Sequence, residues 1–299
     1  MKYLALLFGL LSALPAVPAQ AALKVFACEP EWGALTQELG GALVSVYSAT
    51  MAQQDPHHIE ARPSLLARTR NADLLICTGA GLEAGWLPVL LAQSGNAKVQ
   101  TGQPGWFMAT DGLALLEKPI KLDRAMGDVH AAGNPHIQQD PHMIAAVAQR
   151  LNQRLQQIDP ANAATYQHNY DSFNQRWQVA MARWEREAAP LRGKLMVSHH
   201  KAFTYLYHWL GMTEVGTLEP LPGIDPSAQS LVTLLQQLKG KSVYAIVRAP
   251  YNDARASEWL HDHIGAPAVE LPFTIGGESG TDNLFGFFDV TVKRLLEAH

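Results

Sequence analysis

The chain has 299 residues, 23 basic against 27 acidic side chains for a net charge of −4, 47% hydrophobic residues and two cysteines. So mild an acidic balance gives no electrostatic case for a nucleic-acid or membrane-surface partner, and two cysteines are too few for a thiolate metal site. No later segment approaches the ~18 consecutive apolar residues of a membrane span.

In chain order, Met1–Leu11 carries one charge, Lys2, and then an apolar run too short to cross a bilayer. Pro15, Pro18 and Ala19-Gln20-Ala21 follow. This pattern predicts a secretory signal peptide over residues 1–21, cleaved near Ala21, and an exported, soluble mature chain. No cysteine stands at the cleavage point, which argues against a lipid-anchored precursor. Removing Lys2 leaves 22 basic and 27 acidic side chains, roughly −5.

The next half alternates β-rich and helical patterns. A strand over 23–28 leads into an amphipathic stretch with Trp32, Leu35 and Leu39 that stops at Gly40-Gly41. Strands over 43–47 and 73–77, a helix over 64–71 and a helix through Leu82, Trp86, Val89 and Leu90 complete a βαβα rhythm, which implies a parallel sheet covered by helices. Cys28 and Cys77 each end a strand. Adjacent parallel strands would set those ends side by side, and an exported compartment is oxidising, so a Cys28–Cys77 disulfide is favoured over two buried thiols.

Asp140-Pro141 reads as an N-cap with proline in the first turn, opening the apolar run Ile144–Leu155. Asp159-Pro160 opens a helix to about Ala188, with Tyr166, Tyr170, Phe173, Trp177, Met181 and Trp184 at recurring spacings of three and four. A helix of about 28 residues spans about 42 Å and suits a link between two lobes. The alternation then restarts: strands at 194–198, 243–247 and 269–272, and helices through Phe203, Leu206 and Leu210, then over 227–238, 257–264 and 284–296. The expected fold is α/β, two parallel-sheet lobes (22–157 and 190–299) joined by one long rigid helix (158–189).

Twelve histidines punctuate this pattern. Three groups lie in loop signals after strands: Asp55-Pro56-His57-His58, Asn134-Pro135-His136 and Ser198-His199-His200. Proline stiffens the first two loops, and ligand sites of open α/β sheets lie beyond strand carboxyl ends. Three neutral imidazoles converging on one point would suit zinc. Each signal alone is equally an exposed loop histidine. His142 imitates the first motif but falls in a helix's first turn, and reads as a surface residue. His130 reads as an entrance residue or an outer support of the site, or as neither.

Together these motifs resemble the metal-binding solute receptors of bacterial zinc and manganese ABC transporters, the cluster A-I group. Carriers of the resemblance are Asp55-Pro56-His57, Arg62-Pro63-Ser64, Ala72-Asp73-Leu74-Leu75, Gly79-Ala80-Gly81-Leu82-Glu83, Asn134-Pro135-His136 and His200-Lys201-Ala202-Phe203-Thr204-Tyr205. The resemblance covers nearly the whole mature chain. It implies a periplasmic receptor, a monomer delivering a divalent ion to an ABC transporter membrane permease, with His57, His136 and His200 as ligands, His200 rather than His199. The family's fourth ligand is a carboxylate after the last strand. Leu271-Pro272-Phe273-Thr274-Ile275-Gly276-Gly277 has none there, so Asp282 is the nearest replacement, with Glu278, Glu219 or a water as alternatives. Three imidazoles favour zinc over manganese or iron. Three histidines with an open position also fit a zinc hydrolase, although no His-Glu-x-x-His motif occurs, and a metal-clipped adhesin or interaction protein is a third reading.

Overall fold

The computed structural model describes residues 21–120 and 129–299. The expected leader, Ala21 excepted, lies outside the described residues. Among them no helix is long and apolar enough to cross a membrane.

The first sheet contains β1 (Leu23–Ala27), β2 (Val44–Ser48), β3 (Leu74–Cys77) and β4 (Trp106–Met108), all parallel, in the order β2-β1-β3-β4. Every residue of β3 is buried, as expected of a central strand covered on both faces. Helices α1 (Pro30–Gly40), α2 (Pro63–Arg70) and α3 (Leu87–Ser94) cover it. Each has a proline in its first turn, where the missing N–H costs no helical hydrogen bond. Cys28 and Cys77 follow and end adjacent strands with their Cα atoms 4.7 Å apart, and they form the expected disulfide.

Two long helices come next. The Asp140 side chain caps α4 (Pro141–Ile158) by accepting from His142 N–H. The second, α5 (Ala163–Glu187), is the long helix anticipated between the lobes, 25 residues and so about 38 Å in length. It is not a bare rod. Tyr166, Phe173, Trp177, Ala180, Met181 and Trp184 are buried along one face.

The second sheet repeats the arrangement: β5 (Leu195–Ser198), β6 (Thr213–Thr217), β7 (Val243–Arg248) and β8 (Ala268–Glu270), parallel, in the order β6-β5-β7-β8. Around it lie α6 (Thr204–Leu210), α7 (Ala228–Gln237), α8 (Arg255–Ile264) and α9 (Leu284–Leu296). The face of α5 meets α1 and α4 on one side and α9 on the other. Trp177 donates to the Pro141 carbonyl at 2.9 Å and Trp184 to Asp289 at 2.6 Å. One apolar cluster therefore runs from Trp32 and Leu35 through α5 to Phe287 and Phe288. A shared core of this kind couples the lobes, because relative movement would expose apolar surface at about 25 cal/mol per Å2.

Two strands, β4 and β6, were not anticipated, and α3 begins at Leu87 rather than near Leu82. Residues 79–86 form turns instead: Gly79, Ala80 and Gly81 have φ of 82°, 53° and 92°. Three consecutive left-handed residues are incompatible with a helix.

Candidate metal centre

The three loops named for their histidines meet where the lobes face each other. His57 follows β2, His136 precedes α4, and His200 stands just beyond the carboxyl end of β5. One nitrogen from each of His57, His136 and His200 lies within 4.8 Å of the others. Their ring centroids are 5.4, 5.5 and 5.5 Å apart, with interplanar angles of 68°, 75° and 86°. Rings set steeply to one another around a point, rather than stacked, suit shared coordination.

Each ring is set by local chemistry. Asp55 accepts from the His57 backbone N–H at 2.9 Å and from ring Nδ1 at 2.7 Å. Burial raises the Asp55 pKa, but the His57 hydrogen bonds and charge outweigh it and hold the carboxyl below its ordinary range. Trp86 donates to the Pro56 carbonyl at 2.9 Å and so fixes the Asp-Pro-His turn. His200 Nδ1 lies 2.8 Å from Glu219, whose same oxygen accepts from Gly223 N–H at 2.9 Å. A carboxylate on Nδ1 places the ring proton there and turns the Nε2 lone pair toward the site, the support commonly found behind metal-bound histidine.

His136 is different. It is 1% exposed, and neither ring nitrogen has a hydrogen-bond partner. Burial first, then the neighbouring His57, His200 and His130, hold its pKa well below the ordinary value. A neutral, buried, unpartnered imidazole is costly in a folded protein, and an ion at the meeting point of the rings would supply the missing partner. Its backbone N–H is held by Asn134 Oδ1 at 3.0 Å. Asn134 Nδ2 donates to Glu117 in its own lobe and reaches across to the Lys201 carbonyl and Thr204 in the other.

The other expected residues separate clearly. His58 is exposed. His142 Nε2 pairs with Glu185 at 2.9 Å on the outer surface. His199 is buried but outside the cluster, 3.9 Å from Glu219. The structure does not bring Asp282 to the histidines: it is exposed on the loop before α9. Glu278 hydrogen-bonds Arg294, and Glu219 supports His200 rather than pointing inward as a ligand. The residue that sequence reasoning underrated is His130. Its Nε2 lies 3.2 Å from Nε2 of His57, and it lines a cleft of about 300 Å3 with His136, His200, Leu221 and Pro222. Burial, then His57 and His200, push its pKa down to about 4, so it is a neutral donor.

Two parallel four-stranded lobes with a histidine cluster between them define a metal-receptor fold. A model of the family described as the zinc-uptake complex component A, periplasmic (ZnuA), matches residues 25–298, and the chain belongs to that family. It is a family of substrate-binding receptors of ABC transporters, not of enzymes. Among curated relatives, the manganese ABC transporter substrate-binding lipoprotein PsaA of Streptococcus pneumoniae is 22% identical over 99% of this chain and 96% of its own length. The zinc-binding lipoprotein AdcA of the same species is 23% identical over 78% of this chain but 45% of its own length. Of solved structures, a crystal structure of ZnuA superposes with a TM-score of 0.76 at 22% identity, covering 93% of this chain and 99% of that one. A manganese-bound periplasmic metal-binding protein from Candidatus Liberibacter asiaticus gives 0.74 at 16% identity, covering 92% and 99%.

Proposed function

We propose that this chain is the periplasmic receptor of an ABC importer and that its cargo is zinc. The observation that carries the reading is the cluster of His57, His136 and His200, whose ligand nitrogens lie within 4.8 Å of one another at the junction of two lobes. Neutral imidazoles suit borderline ions, whereas manganese favours oxygen-rich shells. No carboxylate belongs to this cluster among the described residues. Iron and manganese are the less favoured cargoes.

Capture by such a site is reversible. The ligands bind in their neutral form, so protons compete with the ion as the pH falls. The shared core along α5 and the Asn134–Thr204 contact argue against wide lobe opening, and release proceeds through movement of the histidine loops when a membrane permease engages the receptor. A monomer suffices, because one chain supplies every ligand. We place the lobes at 22–157 and 190–299 with the connecting segment at 158–189, and the exported chain begins after cleavage near Ala21. A hydrolase would need a positioned general base beside the ion, and the nearest carboxylates, Asp55 and Glu219, are engaged in orienting rings.

Metal analysis of protein purified without chelators, followed by calorimetric titration with zinc and manganese, tests this reading. One zinc per chain, bound more tightly than manganese, is expected. Tighter manganese binding, or no binding of either ion, would overturn it.

A further inference from the structure

The Nε2 atoms of His57 and His130 face each other at 3.2 Å. Two imidazoles at this distance ordinarily share a hydrogen bond, one donating and the other accepting. The far side of the His57 ring fixes which way its lone pair points. His57 Nδ1 lies 2.7 Å from a carboxylate oxygen of Asp55, which only accepts, so the ring proton sits on Nδ1 and Nε2 carries the lone pair. His130 Nδ1 faces the left-handed turn at Ala80-Gly81, where a Cβ added to Gly81 would lie 3.4 Å from it. The His57 Nε2 lone pair therefore points at His130 Nε2, and His130 lines the same cleft as His136 and His200.

A shared proton holds the two nitrogens together when no ion is bound, and an ion can take its place. The spacing fits one: zinc bound to nitrogen at about 2.0 Å in a tetrahedron separates its ligands by about 3.3 Å. We propose that His130 is the fourth ligand, closing a four-imidazole shell from the cleft side in the place where the family resemblance predicted a carboxylate. The His130 ring is 5.3 Å from that of His57 but 6.3 Å from that of His136, against 5.4–5.5 Å among the other three. It stands outside the trio whose nitrogens lie within 4.8 Å of one another, so joining the shell requires His130 to move inward on the ion. The consequence is selectivity. A shell of four nitrogens contains no hard oxygen donor, which disfavours manganese, while Asp55 and Glu219 balance the charge from behind the rings.

The inference rests on the reading of His57, His136 and His200 as the metal site, and its test separates the two. Zinc-loaded wild type is measured by X-ray absorption and by two-bond 1H–15N NMR of histidine-labelled protein, alongside His130→Ala and His130→Gln checked for folding by circular dichroism. Four coordinated imidazoles in wild type, three in each variant, and zinc affinity reduced at least 10-fold with a smaller preference over manganese are expected. Three imidazoles in wild type with the His130 resonances unmoved by zinc would overturn the fourth ligand and leave the receptor reading standing. No zinc-dependent change at His57, His136 or His200 would overturn both.

Discussion

The Tyr205 hydroxyl, on α6 of the second lobe, donates to the Asn134 carbonyl at 2.9 Å and accepts from Leu116 N–H at 3.0 Å in the first. One buried phenol thus ties the helix after His200 to the segment that carries His136. Lys201 and Thr204 reinforce the tie by pairing with Glu117, and the Lys201 ammonium outweighs burial to hold the Glu117 carboxyl low. The aromatic-rich motif after His200 therefore sets the distance between ligands from different lobes.

Tyr205→Phe keeps the ring and removes both hydrogen bonds, leaving a buried carbonyl and N–H unpaired. It is expected to destabilise the protein by about 1–3 kcal/mol and to weaken zinc binding while leaving the stoichiometry at one. Chemical denaturation and calorimetry on the same preparation check both effects. Unchanged stability and affinity would mean that the tie has no energetic role.

Removing the carboxylates that orient the rings is expected to cost less than removing a ligand. Asp55→Asn and Glu219→Gln should each weaken zinc binding about 10–100-fold, because the amide can present its nitrogen to Nδ1 and favour the wrong tautomer. A chelator-competition assay reads the effect. Losses as large as those of a ligand variant would place these carboxylates on the ion itself.

The disulfide encloses a loop with a sequence separation of 49. On the chain-entropy model such a loop contributes about 4 kcal/mol. The double variant Cys28→Ala/Cys77→Ala is expected to melt at a clearly lower temperature, with zinc still bound, since neither cysteine touches the histidines. Native wild type should show no titratable thiol until it is unfolded and reduced.

Glu214 on β6 is half-buried, with one carboxylate oxygen shut away from solvent, and desolvation pushes its pKa up to about 7, against an ordinary value of 4.5. The folded state therefore holds this proton more tightly than the unfolded state does. Its stabilising contribution is complete below pH 4.5 and is lost as the pH rises through about 7. Glu214→Gln removes that dependence, so the metal-free variant should gain stability relative to wild type between pH 5 and pH 8. Urea denaturation at a series of pH values checks the sign. A difference that stays constant, or shrinks with rising pH, would contradict it.

Much of this architecture was legible in the residues. The Asp140-Pro141 start of α4, the Tyr166–Trp184 periodicity of α5 and the apolar strands ending at Cys28 and Cys77 were local signals, and local signals survive packing. The strand β6, Thr-Glu-Val-Gly-Thr, was not legible, because an edge strand need not be apolar. Nor was β4, only three residues long. His57 and His136 stood out through the proline before each. His130 lacks such a flank, and its approach to His57 across 73 residues is a product of tertiary structure alone. Asp282 illustrates the converse, since nearness in sequence to the last strand did not carry it to the site.

Calorimetric titration of zinc into His200→Ala and His199→Ala, side by side with wild type, tests the centre most directly. These neighbours are both largely buried, but only His200 presents a nitrogen to His57 and His136. The account predicts that His200→Ala loses zinc affinity by orders of magnitude, as His57→Ala and His136→Ala do, whereas His199→Ala stays far closer to wild type, as His58→Ala and His142→Ala do. Abolished binding in His199→Ala with intact binding in His200→Ala would contradict it.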